Sequence, residues 1–63
     1  MDPKNAEAHF YLGECFREGK LFQQAQMFLE NALYLSPDNP LIKNSLKEVY
    51  QSTGQTEKAL SLG

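Results

Sequence analysis

Residues 36–50 have the sequence SPDNPLIKNSLKEVY, and they match residues 2–16, DPKNAEAHFYLGECF, at an interval of 34 positions. The matched pairs are Pro3 and Pro37, Asn5 and Asn39, Leu12 and Leu46, Phe16 and Tyr50, and, further along, Ala25 and Ala59. An internal period of about 34 residues is typical of helix–turn–helix units that stack on one another. The sequence therefore indicates a small helical unit that occurs about twice.

The first predicted helix runs from Ala6 to about Glu18. Asn5 is a suitable N-cap because its side chain accepts a hydrogen bond from a free amide of the first turn. Gly19 is expected to end the helix in left-handed geometry. Four residues recur at steps of three and four and predict the packed face: Ala8, Leu12, Cys15 and Phe16.

Three further helical segments follow. The second spans about 22–35, and its apolar stripe is Ala25, Phe28, Leu29, Ala32 and Leu35. Pro37 ends it, and Asn39 caps a third helix, over about 41–52, with Pro40 at its first position. The apolar face of that helix is Ile42, Leu46, Val49 and Tyr50. A short fourth segment, 57–62, is expected to be helical only if it packs on the others.

Composition excludes several classes of function. The 63 residues carry a net charge of −2 with interspersed signs, which argues against binding to nucleic acid. No apolar run approaches the roughly 20 residues that cross a bilayer, so we predict a cytoplasmic protein without membrane contact. One cysteine and one histidine allow no internal disulfide and predict no metal, no cofactor and no catalytic site. Cys15 is expected to be buried, as free cysteines usually are.

The repeated unit resembles the tetratricopeptide repeat, whose pattern is Trp-x-x-Leu-Gly-x-x-Tyr, then Ala-x-x-x-Phe, then Pro. The first copy here is His9, Leu12, Gly13, Phe16, Ala25, Leu29, Ala32 and Pro37, and the second is Lys43, Leu46, Lys47, Tyr50, Gly54 and Ala59. The resemblance implies one truncated module over 1–63, with repeat one at about 6–39 and a partial repeat two at about 40–63. It implies an all-α fold of antiparallel helix-turn-helix hairpins, with three helices and a short fourth.

In this family the first helix of each hairpin lines a concave surface that binds peptides. By that resemblance the peptide-binding residues would be Glu7, Phe10, Glu14, Arg17 and Glu18 from the first helix, with Asn44, Glu48, Gln51 and Ser52 from the third. We expect Phe10 to be an exposed anchor. Phe10 and Glu14 stand where some relatives clamp a peptide carboxylate, so a basic or apolar segment is the better ligand. The alternative is an ordinary solvated helix face.

Self-association is a second prediction, because repeat stacks generally need about three copies for stability. The residues expected to form that interface are Leu46, Val49, Tyr50, Ala59, Leu60 and Leu62. A two-fold homodimer is the simplest arrangement and a domain-swapped one is a variant. The alternatives are a monomer or a fragment of a longer array.

These observations predict a non-enzymatic module that binds a protein or peptide segment through its helical faces and also self-associates. The alternative is a purely structural, self-assembling repeat unit whose only partner is a second copy.

Overall fold

The computed structural model describes residues 3–62, and within that range it contains four α-helices and no strand. Their bounds are α1 Pro3–Glu18, α2 Phe22–Leu35, α3 Pro40–Ser52 and α4 Thr56–Leu62. Each helix packs on the next along the chain, and α1 also contacts α3. The predicted all-α fold of hairpins, with three helices and a short fourth, is confirmed. None of the described helices is both long and apolar enough to cross a membrane.

The prediction that Asn5 caps α1 is wrong, because the helix already begins at Pro3. Proline is accepted in a first helical turn, where its missing N–H would have no partner anyway. Asn5 lies inside the helix, and its backbone carbonyl accepts a hydrogen bond from Nδ1 of His9 at 2.7 Å. At the corresponding place in the second hairpin, Asn39 does cap α3: its side-chain oxygen accepts from the amide of Leu41 at 2.9 Å, with Pro40 as the first helical residue.

The left-handed residue that ends α1 is Lys20, with φ of 63°, and the prediction of Gly19 for that role is wrong. The amide of Leu21 bonds to the carbonyl of Phe16 at 2.8 Å, which closes the turn around Lys20. The turn after α3 closes in the same way around Gly54, whose φ is 76°. Lys20 and Gly54 are 34 positions apart, so both turns share one backbone geometry, and only the second has the residue that this geometry prefers.

The core lies around α2, which is packed between α1 and α3. Its centre consists of Ala25, Leu29, Leu46, Val49, Tyr50 and Ala59, against which Phe10, Phe16, Phe22, Leu33 and Leu62 are partly buried. Gly13 allows α1 to approach α2 closely, since a Cβ at this position would lie 2.6 Å from Cγ of Leu29. The absence of a side chain at Gly13 thus leaves room for Leu29.

The packed face of α1 differs from the predicted one. Ala8, Leu12 and Cys15 are exposed, and of the predicted stripe only Phe16 is half-buried. The buried positions are instead Ala6 and Gly13. The reason is that α2 covers only one side of α1, about a third of a turn away from the centre of the apolar stripe. The prediction that Cys15 is buried is therefore wrong.

Candidate functional site

The predicted peptide-binding residues lie on adjoining surfaces of α1 and α3, which are in contact. Six of the predicted residues are exposed, namely Glu7, Glu18, Asn44, Glu48, Gln51 and Ser52. The other three, Phe10, Glu14 and Arg17, are half-buried. We refer to this whole set as the acidic face.

Arg17 links the two helices across the acidic face. Its Nε and Nη2 donate to the two carboxylate oxygens of Glu14 at 3.2 and 2.7 Å, and its Nη1 donates to Oε2 of Glu48 at 2.9 Å. The hydrogen bond from Arg17 lowers the pKa of Glu14, and the same contact raises the pKa of Arg17. The Arg17 guanidinium thus connects Glu14, on its own helix α1, with Glu48 on α3.

The charges on this face do not cancel. It carries the carboxylates of Glu7, Glu14, Glu18 and Glu48 and the guanidinium of Arg17. The guanidinium is already occupied by two carboxylates, whereas Glu7 and Glu18 are exposed. A surface with this excess of negative charge attracts basic ligands and repels acidic ones.

A depression of ≈ 270 Å³ adjoins the acidic face, between the first half of α1 and the start of α3. Buried Ala6 and Ile42 and half-buried Phe10 line it, with Tyr11 and Leu41 exposed at its sides. Phe10 is half-buried and packs against the core, so the prediction that it is an exposed anchor is wrong.

Sequence reasoning missed two exposed apolar residues of this depression, Tyr11 and Leu41. Leu41 follows Glu7 by 34 positions, so the repeat itself would have placed it on the same surface. Nothing in the sequence indicates that Tyr11 is exposed. It lies next to the predicted apolar stripe, where an apolar side chain is expected to be packed.

Most of the predicted self-association residues are not available to a partner. Leu46, Val49, Tyr50 and Ala59 are buried against α2 or between α3 and α4, and the prediction that they form an outer interface is wrong. Leu60 is 80% exposed and Leu62 is half-buried. Leu60 borders a groove of ≈ 380 Å³ between α3 and α4 that is also lined by Lys47, Gln51, Thr56 and Ala59.

Among residues 5–62 no group of three His, Cys, Asp or Glu side chains is arranged to hold a metal ion. His9 is engaged locally, since its ring donates to the Asn5 carbonyl and lies 6.0 Å from the ring of Phe28.

Comparison with known proteins gives one partial similarity. The chain is 32% identical over 56 residues to the BBSome complex member BBS4 homolog of Drosophila melanogaster. The match covers 89% of this chain and 12% of the fly protein, so the chain spans only a small part of that relative. No protein-family model and no solved structure matches. The similarity and the four-helix fold are compatible with a tetratricopeptide-like repeat.

Proposed function

We propose that the chain is a non-enzymatic protein-interaction module of the tetratricopeptide type. Support comes from the 34-residue period, from the two hairpins that follow it, and from the matching turns around Lys20 and Gly54. The similarity to a fly protein named as a member of a complex points in the same direction. The proposed role is to hold a segment of another protein against the helices.

The ligand that this surface fits is a basic segment with an apolar side chain. The observation that carries this proposal is the Arg17 bridge, which joins α1 and α3 into one continuous surface and leaves a net excess of carboxylates on it. The neighbouring depression offers Tyr11 and Leu41 to an aliphatic or aromatic side chain of the same segment. The charges would orient the ligand and raise its association rate, and burial of its apolar side chain in the depression would provide most of the affinity.

The test is selection of a random dodecapeptide display library on the immobilised full chain. We expect the enriched peptides to combine Lys or Arg with one large apolar residue. A synthetic copy of the most enriched peptide, labelled with fluorescein, is then titrated by anisotropy at low and high salt. Its affinity should fall as salt rises, because exposed charge pairs are screened.

Variants of the full chain locate the site. Exchanging Glu7→Gln together with Glu18→Gln should weaken binding about two- to thirtyfold, since exposed ion pairs contribute about 0.2–1 kcal/mol each. Leu41→Ser should weaken it as well, whereas Glu57→Gln removes an exposed charge from α4 and should have no effect. Enrichment of acidic peptides, or equal loss from Glu57→Gln, would contradict the proposal.

A structural, self-assembling unit is the second candidate. Leu60 at 80% exposure beside the groove between α3 and α4 favours it. In that case a second copy would cover the groove and no peptide ligand would be required.

A further inference from the structure

Two aromatic side chains meet at the depression between α1 and α3. The ring centroids of Phe10 and Tyr11 are 5.8 Å apart, and the ring planes are inclined at 49° to each other. Both residues line the depression, and Tyr11 is 59% exposed whereas Phe10 is half-buried. The pair therefore offers aromatic surface to a group that enters the depression.

The internal repeat does not account for this pair. The residues 34 positions after Phe10 and Tyr11 are Asn44 and Ser45, so the second hairpin has no aromatic ring at either place. Packing does not account for Tyr11 either, since more than half of its surface is exposed. A large aromatic residue that is exposed beside a depression is typical of a binding site.

The charge in the depression is negative. Among the described residues that line it, Glu7 is the charged one, and it also belongs to the acidic face. Apolar walls are provided by Ala6, Leu41 and Ile42. A group that suits both the carboxylate and these walls carries a positive charge and has an apolar outer surface.

We propose that the depression binds the trimethylammonium group of a methylated lysine that belongs to a basic protein segment. This inference rests on the proposed function, because it names the side chain that the segment inserts. A cation is attracted to an aromatic face within about 6 Å of the ring centroid, and two centroids 5.8 Å apart leave positions that close to both. The flanking basic residues of the segment lie on the acidic face.

Hydration makes the methylated lysine a better fit than the unmethylated one. An unmethylated ammonium is compact and strongly hydrated, and its N–H groups lose hydrogen bonds to water when they are enclosed. The walls are mostly apolar or aromatic, and the side-chain oxygen of Asn39 already accepts from the amide of Leu41 at 2.9 Å. A trimethylammonium group has no N–H and contacts the rings through methyl groups, so it loses less on leaving water.

The size and surroundings of the depression favour a side chain of a protein. Sites for small molecules usually have volumes of about 300–1,000 Å³, so ≈ 270 Å³ suits one side-chain head group. Choline and phosphatidylcholine carry the same trimethylammonium group. The acidic face would attract the basic residues of a protein segment and repel the phosphate of a lipid.

The test is NMR titration of the isotope-labelled full chain with three peptides of sequence Ala-Arg-X-Arg-Ala. X is lysine, trimethyllysine or the neutral isostere in which carbon replaces the quaternary nitrogen. We expect trimethyllysine to bind about five- to thirtyfold more tightly than the isostere, since the isostere lacks two cation–π contacts. The lysine peptide should also bind more weakly, and the trimethyllysine peptide should shift the resonances of Tyr11 and Leu41.

Equal affinity of trimethyllysine and its isostere would overturn this inference, yet it would leave the proposed function standing, because the basic flanks still bind. Binding of none of the three peptides would also overturn it, and the peptide selection described above then decides separately on the proposed function. Choline chloride and phosphatidylcholine vesicles form two further arms. Tighter binding of either than of the trimethyllysine peptide would assign the depression to a different ligand and contradict the proposal.

A variant of the exposed ring locates the contact. Tyr11→Leu removes the aromatic face but keeps an apolar side chain, so the affinity for trimethyllysine should fall toward that for the isostere, whose own affinity should change little. Tyr34→Leu is the matched control, because Tyr34 is 80% exposed on α2 and does not line the depression. An equal loss of affinity in both variants, or no loss in Tyr11→Leu, would overturn the proposal.

Discussion

Gly13 is the residue whose size limits how closely the first hairpin can pack. A methyl group at this position would lie 2.6 and 2.8 Å from Cγ and Cδ2 of Leu29, whose side chain is fully buried. Contacts of that length force the neighbouring side chain or the backbone to move. Glycine in mid-helix costs roughly 1 kcal/mol relative to alanine, and here the close approach of α1 and α2 offsets that cost.

We predict that Gly13→Ala lowers the free energy of unfolding by about 1 kcal/mol. Overpacking of a core costs about 1–3 kcal/mol, and the better helix propensity of alanine recovers roughly 1 kcal/mol of it. Urea titration followed by circular dichroism measures the difference. Gly19→Ala is the matched control, because the nearest atoms to its added methyl group are 3.5 and 3.7 Å away. A stabilised Gly13→Ala variant would show that the two helices do not meet at this position.

Lys20 is strained by the turn that ends α1, because its φ is 63° and it carries a side chain. A left-handed conformation costs about 1–2 kcal/mol for a residue with a Cβ, and glycine avoids it. We predict that Lys20→Gly raises the free energy of unfolding by about 1 kcal/mol, measured by urea titration. The reciprocal change Gly54→Lys should lower it by a similar amount. A less stable Lys20→Gly variant, or a more stable Gly54→Lys variant, would contradict the shared geometry of the two turns.

At the scale of elements, polar contacts from α2 hold the second hairpin in place. The hydroxyl of Tyr50 donates to Glu30, and the side-chain amide of Gln55, in the turn before α4, donates to Gln26 at 2.8 Å. Burial of Tyr50, together with the hydrogen bond to Glu30, raises its pKa well above the ordinary value. The contact between α2 and α3 therefore includes one group, the Tyr50 phenol, that ionises at alkaline pH.

We predict that Tyr50→Phe lowers the free energy of unfolding by about 1.5–3 kcal/mol at pH 7, since it removes a hydrogen bond to a charged group. A raised pKa in the folded state means that this group contributes fully below about pH 10, where the unfolded phenol is also protonated. Above that pH the unfolded phenol ionises first, and stability is lost. The wild-type chain should therefore lose more stability than Tyr50→Phe as the pH rises from 10 to 11.

The measurement is urea unfolding at several pH values between 7 and 11. Tyr34→Phe is the control, because Tyr34 is 80% exposed, and this variant should follow the wild-type curve throughout. If the unfolding free energies of wild type and Tyr50→Phe change in parallel with pH, the Tyr50 hydroxyl is not hydrogen-bonded to Glu30 in solution.

At the scale of the whole molecule, the chain forms a slab of 31 × 24 × 14 Å. A Cα thickness of 14 Å corresponds to about two layers of helices, whose axes lie roughly 8–10 Å apart, so most helices have a side that no other helix covers. This explains why Tyr11, Leu12, Leu41 and Leu60 remain exposed in a chain that also has a packed core. Exposed apolar surface of this kind favours association with other protein surfaces.

Leu60 tests whether α4 provides a self-association surface. If it does, we predict that the wild-type chain shows a mass that rises with concentration in analytical ultracentrifugation, and that Leu60→Asp sediments as a monomer. The charge would have to be buried without a partner in the dimer, which is unfavourable by several kcal/mol. Leu21→Asp, at another exposed leucine, is the control and should leave the association unchanged. Identical sedimentation of wild type and Leu60→Asp would show that α4 is not part of a self-association interface.

The helices and their order could be predicted from the sequence because local chemistry sets them. The bounds of α2 agree with the prediction, and the Asn39 cap and Pro40 mark the start of α3 as expected. The start of α1 could not be predicted, because Pro3 and Asn5 are both favoured where a helix begins. They lie within one turn of each other, so local preference does not distinguish the two positions. The division into repeats at about 6–39 and 40–63 stays a prediction.

The candidate site was predictable in composition but not in exposure. Glu14, Arg17 and Glu48 were assigned to one surface by the family resemblance, and the structure brings them together through the Arg17 guanidinium. Phe10 was expected to be exposed, yet it packs against the core. Helical spacing shows which residues share a side but contains no information on which side a neighbouring helix will cover.

By itself, the order of residues determined a pair of helical hairpins with a 34-residue period, because caps, prolines and apolar spacing act over a few residues. Only the tertiary structure decided that Leu46 is buried while Leu12, its match in the repeat, is half exposed. Burial depends on which helix lies alongside, and α2 can lie against α3 on one side while it covers a different side of α1. Equivalent residues therefore have equivalent conformations but different surroundings, and those surroundings determine which faces remain open to a partner.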